Sequence, residues 1–178
     1  MKLLSFEYSM KAEVVRLFAE VFSASENEDE GRLIGDLVAN LIETPEEGDV
    51  LGFVAVADGI LTGSIFFSRF SVPGSDVAFI LSPVAVATDA QRTGVGQQLI
   101  RHGLERLKSQ GVDLAITYGD PGYYVKVGFR QITEDIVSAP FVLSQPEGWL
   151  AQPLSSNRVK ANPGPTRCVQ ALSDQRYW

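Results

Sequence analysis

Soft metal ligands are almost missing from this sequence, which has one cysteine, one histidine and two methionines. A lone Cys168 cannot close an internal disulfide or build a structural zinc site, and a lone His102 excludes a histidine-rich one. No resident metal is therefore expected. Long apolar runs are lacking too. No apolar stretch reaches the length of about 18 residues needed to span a bilayer. Met1–Phe18 alternates charged and apolar residues and lacks the run of about seven or more that a leader requires. The expected location is the cytoplasm, with no membrane partner. Positive charge is in deficit: 15 Lys+Arg stand against 22 Asp+Glu, a net charge of −7. That balance disfavours non-specific attraction to nucleic acid, so no nucleic-acid partner is expected. Internal repeats and low-complexity segments are absent as well.

What is present is ample apolar material, 45% of residues, for a packed core. Lys2–Tyr8 reads as a short strand. Ser9 or Met10 opens an amphipathic helix with Val14, Leu17, Phe18, Val21 and Phe22 on one face. The small, acidic segment Ser23–Gly31 is expected to break that helix, and a second follows with Leu33, Ile34, Leu37, Val38 and Leu41 inward. Val50–Ala57, Ile60–Phe70 and Val77–Ala87 read as strands punctuated by Asp58-Gly59 and Pro73-Gly74, which predicts an antiparallel meander. A long helix over Thr93–Gln110 and a buried strand over Val112–Tyr118 then imply a right-handed parallel crossover. Asp120-Pro121 reads as the cap and first-turn proline of a short helix ending near Gly128. Phe129–Ile132 begins another strand, Phe141–Ser144 and Arg167–Leu172 read as further strands, and the proline-punctuated Gln145–Pro165 as mostly loop. The order β-α-α-β-β-β-α-β-α-β, with a closing strand, predicts an α/β (α+β) mixed sheet with helices on both faces. No linker divides the chain. Residues 1–178 are expected to form one domain, with a core over about 1–135 and an irregular segment over 136–178 that carries the closing strand.

The segment that carries chemistry is Val84-Ala-Val-Ala-Thr-Asp-Ala-Gln91-Arg92-Thr93-Gly94-Val95-Gly96-Gln97, where a strand ends and a helix begins. Gly94 and Gly96 have no side chain to keep a ligand off the backbone. The first amides of a helix have no intrahelical acceptor and lie at the positive end of its dipole, so the junction suits a pyrophosphate. Arg92 either adds a charge-assisted hydrogen bond there or stays solvated. The alternative is an ordinary loop-to-helix junction. A P-loop is excluded, since no Gly-x4-Gly-Lys-Ser/Thr run exists. A dinucleotide fingerprint fails because no third glycine follows Gly96 at the required position and a meander precedes the motif.

Gln91-x-x-Gly94-x-Gly96 resembles the Gln/Arg-x-x-Gly-x-Gly/Ala signature of the GNAT N-acetyltransferase superfamily. The preceding Leu81-Ser-Pro-Val-Ala-Val86 strengthens the likeness. So does Gly119-Asp-Pro-Gly-Tyr-Tyr124-Val-Lys-Val-Gly128-Phe129, which resembles the family's Tyr-x-x-x-Gly-Phe motif. That second segment is most like a bacterial subgroup with a Gly-Asp/His-Pro-x-Tyr-Tyr sequence. The clear match covers about Leu81–Gln131, and the last forty or so residues match loosely. The resemblance implies a GNAT fold with splayed central strands and acetyl-CoA as cosubstrate. It further implies an amine acceptor, either a small molecule or a protein amino group, and a monomer or homodimer. By the same resemblance, Gln91 opens the motif and the backbone amides of Arg92, Thr93, Gly94, Val95, Gly96 and Gln97 hold the pyrophosphate. Pantetheine pairs with backbone groups of Val84 and Val86, an amide near Val84 polarises the thioester carbonyl, and Tyr124 protonates the departing thiolate.

Several residues carry two readings. The side chains of Val84 and Val86 are expected in the core whatever their backbone does. Tyr124 is either the acid or a packed tyrosine with a satisfied hydroxyl. Glu26, Glu28, Asp29 and Glu30 either border the acceptor site, as base or cation holder, or form a solvated loop; Asp76 and Ser82 are weaker candidates for the base. Lys126 reaches either a ribose phosphate or water. His102 reads as a surface or packed histidine, Cys168 as a buried strand residue, and Trp149 and Trp178 as packing groups, with Trp149 alternatively lining an acceptor pocket. A non-catalytic acyl-CoA-binding sensor is the competing function.

Overall fold

The computed structural model describes residues 1–74 and 76–178. Its strands are β1 (Lys2–Ser5), β2 (Val50–Ala57), β3 (Ile60–Ser71), β4 (Val77–Val86), β5 (Leu114–Tyr118), β6 (Arg130–Gln131), β7 (Trp149–Pro153) and β8 (Arg167–Cys168). Its helices are α1 (Lys11–Ser25), α2 (Glu28–Ile42), α3 (Val95–Ser109) and the single turn α4 (Pro121–Tyr124). This is the expected mixed α/β architecture, with strands ordered β1-β2-β3-β4-β5-β7-β6 and β8 paired to β3. The chain divides into two units, Met1–Phe67 with Pro83–Gly103 and Ser68–Ser82 with Leu104–Trp178. The connection from β3 to β4 passes through Ser75, outside the described residues.

In the first unit, β1 pairs antiparallel with β2 from Lys2↔Val56 to Ser5↔Phe53. Asp58 and Gly59 take φ of 52° and 80°, the left-handed pair of a type I′ turn, and so fold β3 back beside β2. Val14, Leu17 and Phe18 of α1 are buried, and the rings of Phe6 and Phe18 lie 5.5 and 6.0 Å from Phe66. The expected break over Ser23–Gly31 is much shorter. α1 continues to Ser25 and α2 starts at Glu28, because Asn27 caps α2 by accepting the Glu30 amide at 3.0 Å. Gly31 is a packing position within α2: a β-carbon there would lie 1.9 Å from Ser23 Oγ on α1. α3 approaches β3 just as closely. A β-carbon on Gly103 would lie 2.4 Å from the Phe67 ring, and one on Gly63 would lie 3.0 Å from Leu99. Such overpacking costs about 1–3 kcal/mol, so these glycines fix how near the helix lies to the strand.

In the second unit, β4 and β5 pair in parallel from Ala78↔Leu114 to Leu81↔Thr117. Asp113 starts the pair: its amide donates to Val77 O and its carboxylate accepts from Val77 N, both at 2.8 Å. The Val77 amide, with the Ser155 hydroxyl, holds that carboxyl below its ordinary range. β7 lies in the segment expected to be loop and separates β5 from β6. It runs antiparallel to β5 from Leu114↔Pro153 to Tyr118↔Trp149 and pairs with β6 at Arg130↔Ala151. Pro153 ends the strand, where a missing N–H is tolerable. Trp149 is fully buried and donates from Nε1 to Val137 O at 2.8 Å, so it is a packing residue. Deleting a side chain of that size typically costs about 3–5 kcal/mol. Phe141–Ser144 is not a strand; Phe141 instead stacks on Trp178, which stacks on Tyr118 at 6.3 Å. Arg167–Leu172 provides only the two-residue β8 before a 3-10 turn at Gln170–Leu172. Among the described residues, no helix is long and apolar enough to cross a membrane.

Candidate functional site

The glycine-containing junction lies in the first unit. After β4 the chain makes a 3-10 turn at Thr88–Ala90, tied to β3 by Ala87 N donating to Thr62 O at 2.9 Å. Arg92 and Gly94 then adopt φ of 62° and 90°, with Thr93 between them on the negative side. Alternating handedness of this kind turns successive amides toward one concavity, a recognised anion-binding shape. A non-glycine residue in the left-handed region costs about 1–2 kcal/mol, and Arg92 bears that strain. Two side chains hold the loop: Thr93 Oγ1 donates to Ala90 O at 2.6 Å, and Gln91 Nε2 donates to Val86 O at 3.1 Å. The first backbone hydrogen bond of α3 runs from Gln98 N to Gly94 O at 3.0 Å. Among the described residues, the amides from Arg92 to Gln97 donate to no backbone carbonyl. The first turn of α3 carries no acidic residue. Amides, dipole and shape thus all favour an anion.

Val84 and Val86 are half-buried rather than core residues. Side chains alternate along a strand, and in β4 the inward positions fall on Pro83 and Ala85. Val95 and Gly96 are buried at the start of α3, while Gln91, Arg92 and Thr93 are exposed.

Tyr124 lies in the second unit, at the end of α4. Asp120 caps that turn by accepting the Gly122 amide at 2.8 Å, Pro121 opens it, and Gly128 at φ 102° ends the following 3-10 turn. The ring packs edge-on against Tyr123 and Phe129, at 5.2 and 5.9 Å. Gly119 makes room for it, since a β-carbon there would lie 2.7 Å from Tyr124 Cε2. Burial pushes the Tyr124 phenol up to about 12, and the Thr117 hydroxyl opposes that rise. The phenol is therefore a weaker acid than an ordinary tyrosine, yet protonated throughout the physiological range.

The remaining candidates separate clearly. Glu28, Asp29 and Glu30 form the first turn of α2, where negative charge is favourable, and Asp29 pairs with Arg32. Asp76 accepts from Asn162 Nδ2 at 3.3 Å at the start of β4, at the opposite end of the β4–β5 pair from Tyr124. His102 packs edge-on against Phe53 at 5.4 Å. Cys168 lies in β8, and burial pushes its thiol up to about 11, so it is not a nucleophilic thiolate at neutral pH.

Residues 7–132 match the acetyltransferase (GNAT) domain family. The chain belongs to the GNAT acetyltransferase family. It is accordingly an acyl-transferring enzyme. The uncharacterised N-acetyltransferase YjhQ of Escherichia coli K12 is 32% identical over 140 residues, covering 75% of this chain and 77% of YjhQ. The uncharacterised N-acetyltransferase YhbS of the same strain is 32% identical over 112 residues, covering 59% of this chain and 60% of YhbS. The crystal structure of Escherichia coli YhbS in complex with CoA has a TM-score of 0.80 to this GNAT chain, at 22% identity, over 97% of it and 92% of YhbS. A GNAT acetyltransferase from Brucella melitensis, in complex with acetyl-CoA, has a TM-score of 0.71 at 23% identity over 97% of each chain. At these identities the two structures establish the GNAT fold.

Within this GNAT enzyme, the junction residues Val84, Val86 and Gln91–Gln97 fall together in the first unit and Tyr124 in the second. Two contributors escape sequence reasoning. The Gln91 side chain ties the loop to the Val86 carbonyl, and the Thr117 hydroxyl opposes the rise in the Tyr124 phenol. Thr117 had a signal of its own, as the one hydroxyl residue in the otherwise apolar run Leu114-Ala-Ile-Thr117.

Proposed function

We propose that residues 1–178 act as one N-acetyltransferase domain that moves an acetyl group from acetyl-CoA to a primary amine by direct attack. The observation that carries this reading is the start of α3: left-handed Arg92 and Gly94, six amides without backbone acceptors from Arg92 to Gln97, and no acid in the first turn. These amides receive the pyrophosphate, and Arg92 adds a charge-assisted bond. Backbone groups of Val84 and Val86 pair with the pantetheine arm. An amide near Val84 polarises the thioester carbonyl as negative charge develops on its oxygen. The neutral amine attacks the carbonyl carbon, and the tetrahedral intermediate collapses with loss of the thiolate.

Tyr124 donates to that thiolate. A phenol near 12 facing a thiol near 8.5 makes complete proton transfer uphill by roughly three to four pKa units, about 5 kcal/mol. The resting phenol is always protonated, so a donor is in place in every enzyme molecule. Any group that eases the phenolate lowers this cost. The raised Cys168 thiol favours direct transfer over an acyl-cysteine route. The nitrogen proton leaves to water or to a carboxylate.

The test is thiol release from acetyl-CoA against a polyamine, an aminoglycoside, an α-amino acid and a lysine peptide. Release with one amine class supports the enzyme and identifies its acceptor class. Tight CoA binding without release across a broad panel overturns the reading in favour of a sensor. Tyr124→Phe is expected to lower kcat by at least about tenfold with little change in CoA affinity; an unchanged kcat removes it from the acid role.

A further inference from the structure

β4 ends on a carbonyl that the chain itself occupies. Ala87 N donates to Thr62 O on β3 at 2.9 Å. The N–H and the C=O of one trans peptide point opposite ways. The Val86 carbonyl belongs to the same peptide as that amide, so it points away from β3. Strand pairing does not reach it either: β4 pairs with β5 from Ala78↔Leu114 to Leu81↔Thr117, and Val86 lies beyond that stretch. The group that meets it is the Gln91 side chain, whose Nε2 donates to Val86 O at 3.1 Å. Gln91 is exposed and Val86 half-buried, so this contact lies at the surface. A primary amide on an exposed side chain is a donor that another donor can replace. The same loop has a second tie that uses a different carbonyl, Thr93 Oγ1 donating to Ala90 O at 2.6 Å.

We infer that the Gln91 amide is a built-in competitor of the coenzyme's pantetheine arm: it holds the Val86 carbonyl in the free enzyme and lets go when the arm pairs there. The inference rests on the seats proposed for the arm, at Val84 and Val86, and for the pyrophosphate, at Arg92–Gln97. Pantetheine carries secondary amides, so its N–H is the same class of donor as Gln91 Nε2. Exchanging one for the other keeps Val86 O satisfied before and after binding. The arm, however, gains a bond that the side chain loses. Apparent affinity falls with the fraction of molecules in which the carbonyl is free. The tied loop is also preorganised for the pyrophosphate, which favours ligands with and without an arm alike. The competition acts only on ligands that have the arm. The rival arrangement is shared acceptance, since a carbonyl oxygen has two lone pairs. In that case Gln91 is a loop tie and nothing more, as Thr93 is.

Kd is measured by calorimetry for CoA and for ADP, which has the pyrophosphate but no arm, on wild type, Gln91→Ala, Gln91→Met and Thr93→Val. The readout is the ratio of the ADP Kd to the CoA Kd, in which loop effects common to both ligands cancel. That ratio is expected to rise about two- to fivefold in both Gln91 variants, as for the loss of one hydrogen bond that opposes the arm. It is expected to stay at the wild-type value in Thr93→Val, even where both ligands bind more weakly. Gln91→Met keeps the length of the side chain and removes the donor, so a rise in that variant assigns the effect to the hydrogen bond. A rise in Gln91→Ala without one in Gln91→Met makes the effect steric and overturns the inference. An unchanged ratio in both, whatever the separate Kd values do, makes Gln91 a loop tie and overturns the inference alone. A lower ratio also overturns it, since Gln91 would then be a ligand of the arm. Failure of wild type to bind CoA, or of ADP to displace CoA, overturns the proposed pyrophosphate seat and this inference with it.

Discussion

The first unit contains two helix starts that solve the same problem in opposite ways. α2 begins with Asn27 capping the Glu30 amide and with Glu28, Asp29 and Glu30 in its first turn, so its unpaired amides and positive end are answered from within the chain. α3 begins with an amide-lined turn, carries no first-turn acid, and spends strain on a left-handed Arg92. A helix start optimised for stability looks like α2. One that leaves its amides and dipole to an external anion looks like α3. The contrast also accounts for the acidic run near Glu28, which serves the helix it opens and needs no catalytic task.

That contrast can be broken from either side. The largest effect is expected from Gly94→Glu, which puts a carboxylate where the pyrophosphate belongs. Wild type should gain about 2.7 kcal/mol of stability at CoA near 100 times its Kd, and the variant none, read by thermal shift. Gly94→Ala, which carries the strain at φ 90° without the charge, should keep part of the shift. A full shift in the glutamate variant would separate CoA binding from this junction. Next, Asn27→Ala should cost about 1 kcal/mol in urea unfolding while CoA affinity stays the same. A change in CoA affinity there would show that the α2 start takes part in binding. The smallest effect is expected from Gln97→Glu, which gives α3 an acid at its third position, as in α2. The unliganded enzyme should become more stable by about 0.3–1 kcal/mol and CoA should bind more weakly, measured by unfolding and calorimetry on the same protein. A gain in both would contradict the assignment of that end to an anion.

Much of this was legible along the chain, for reasons that differ by residue. Val14, Leu17 and Phe18 announce the buried face of α1 by spacing, Asp58-Gly59 announces a hairpin by the φ it permits, and Asp120-Pro121 announces α4 by its cap. β7 was hidden because Pro146 and Pro153 bracket it and its five residues are too few to show a period. Ser23–Gly31 looked like a breaker because small and acidic residues favour both a loop and a helix start. Only packing against Ser23 shows that Gly31 belongs inside a helix.

The chemistry of the site divides along the same line. The order of the sequence by itself determined the strand-to-helix junction, since glycine freedom, proline restriction and the missing partners of first-turn amides are properties of a few consecutive residues. Tertiary structure alone decided how acidic Tyr124 is and what the Thr117 hydroxyl binds. A buried phenol is tuned by whatever surrounds it, and Thr117 on β5 and the Leu81 carbonyl on β4 reach each other only when two parallel strands, 36 residues apart in sequence, come into register.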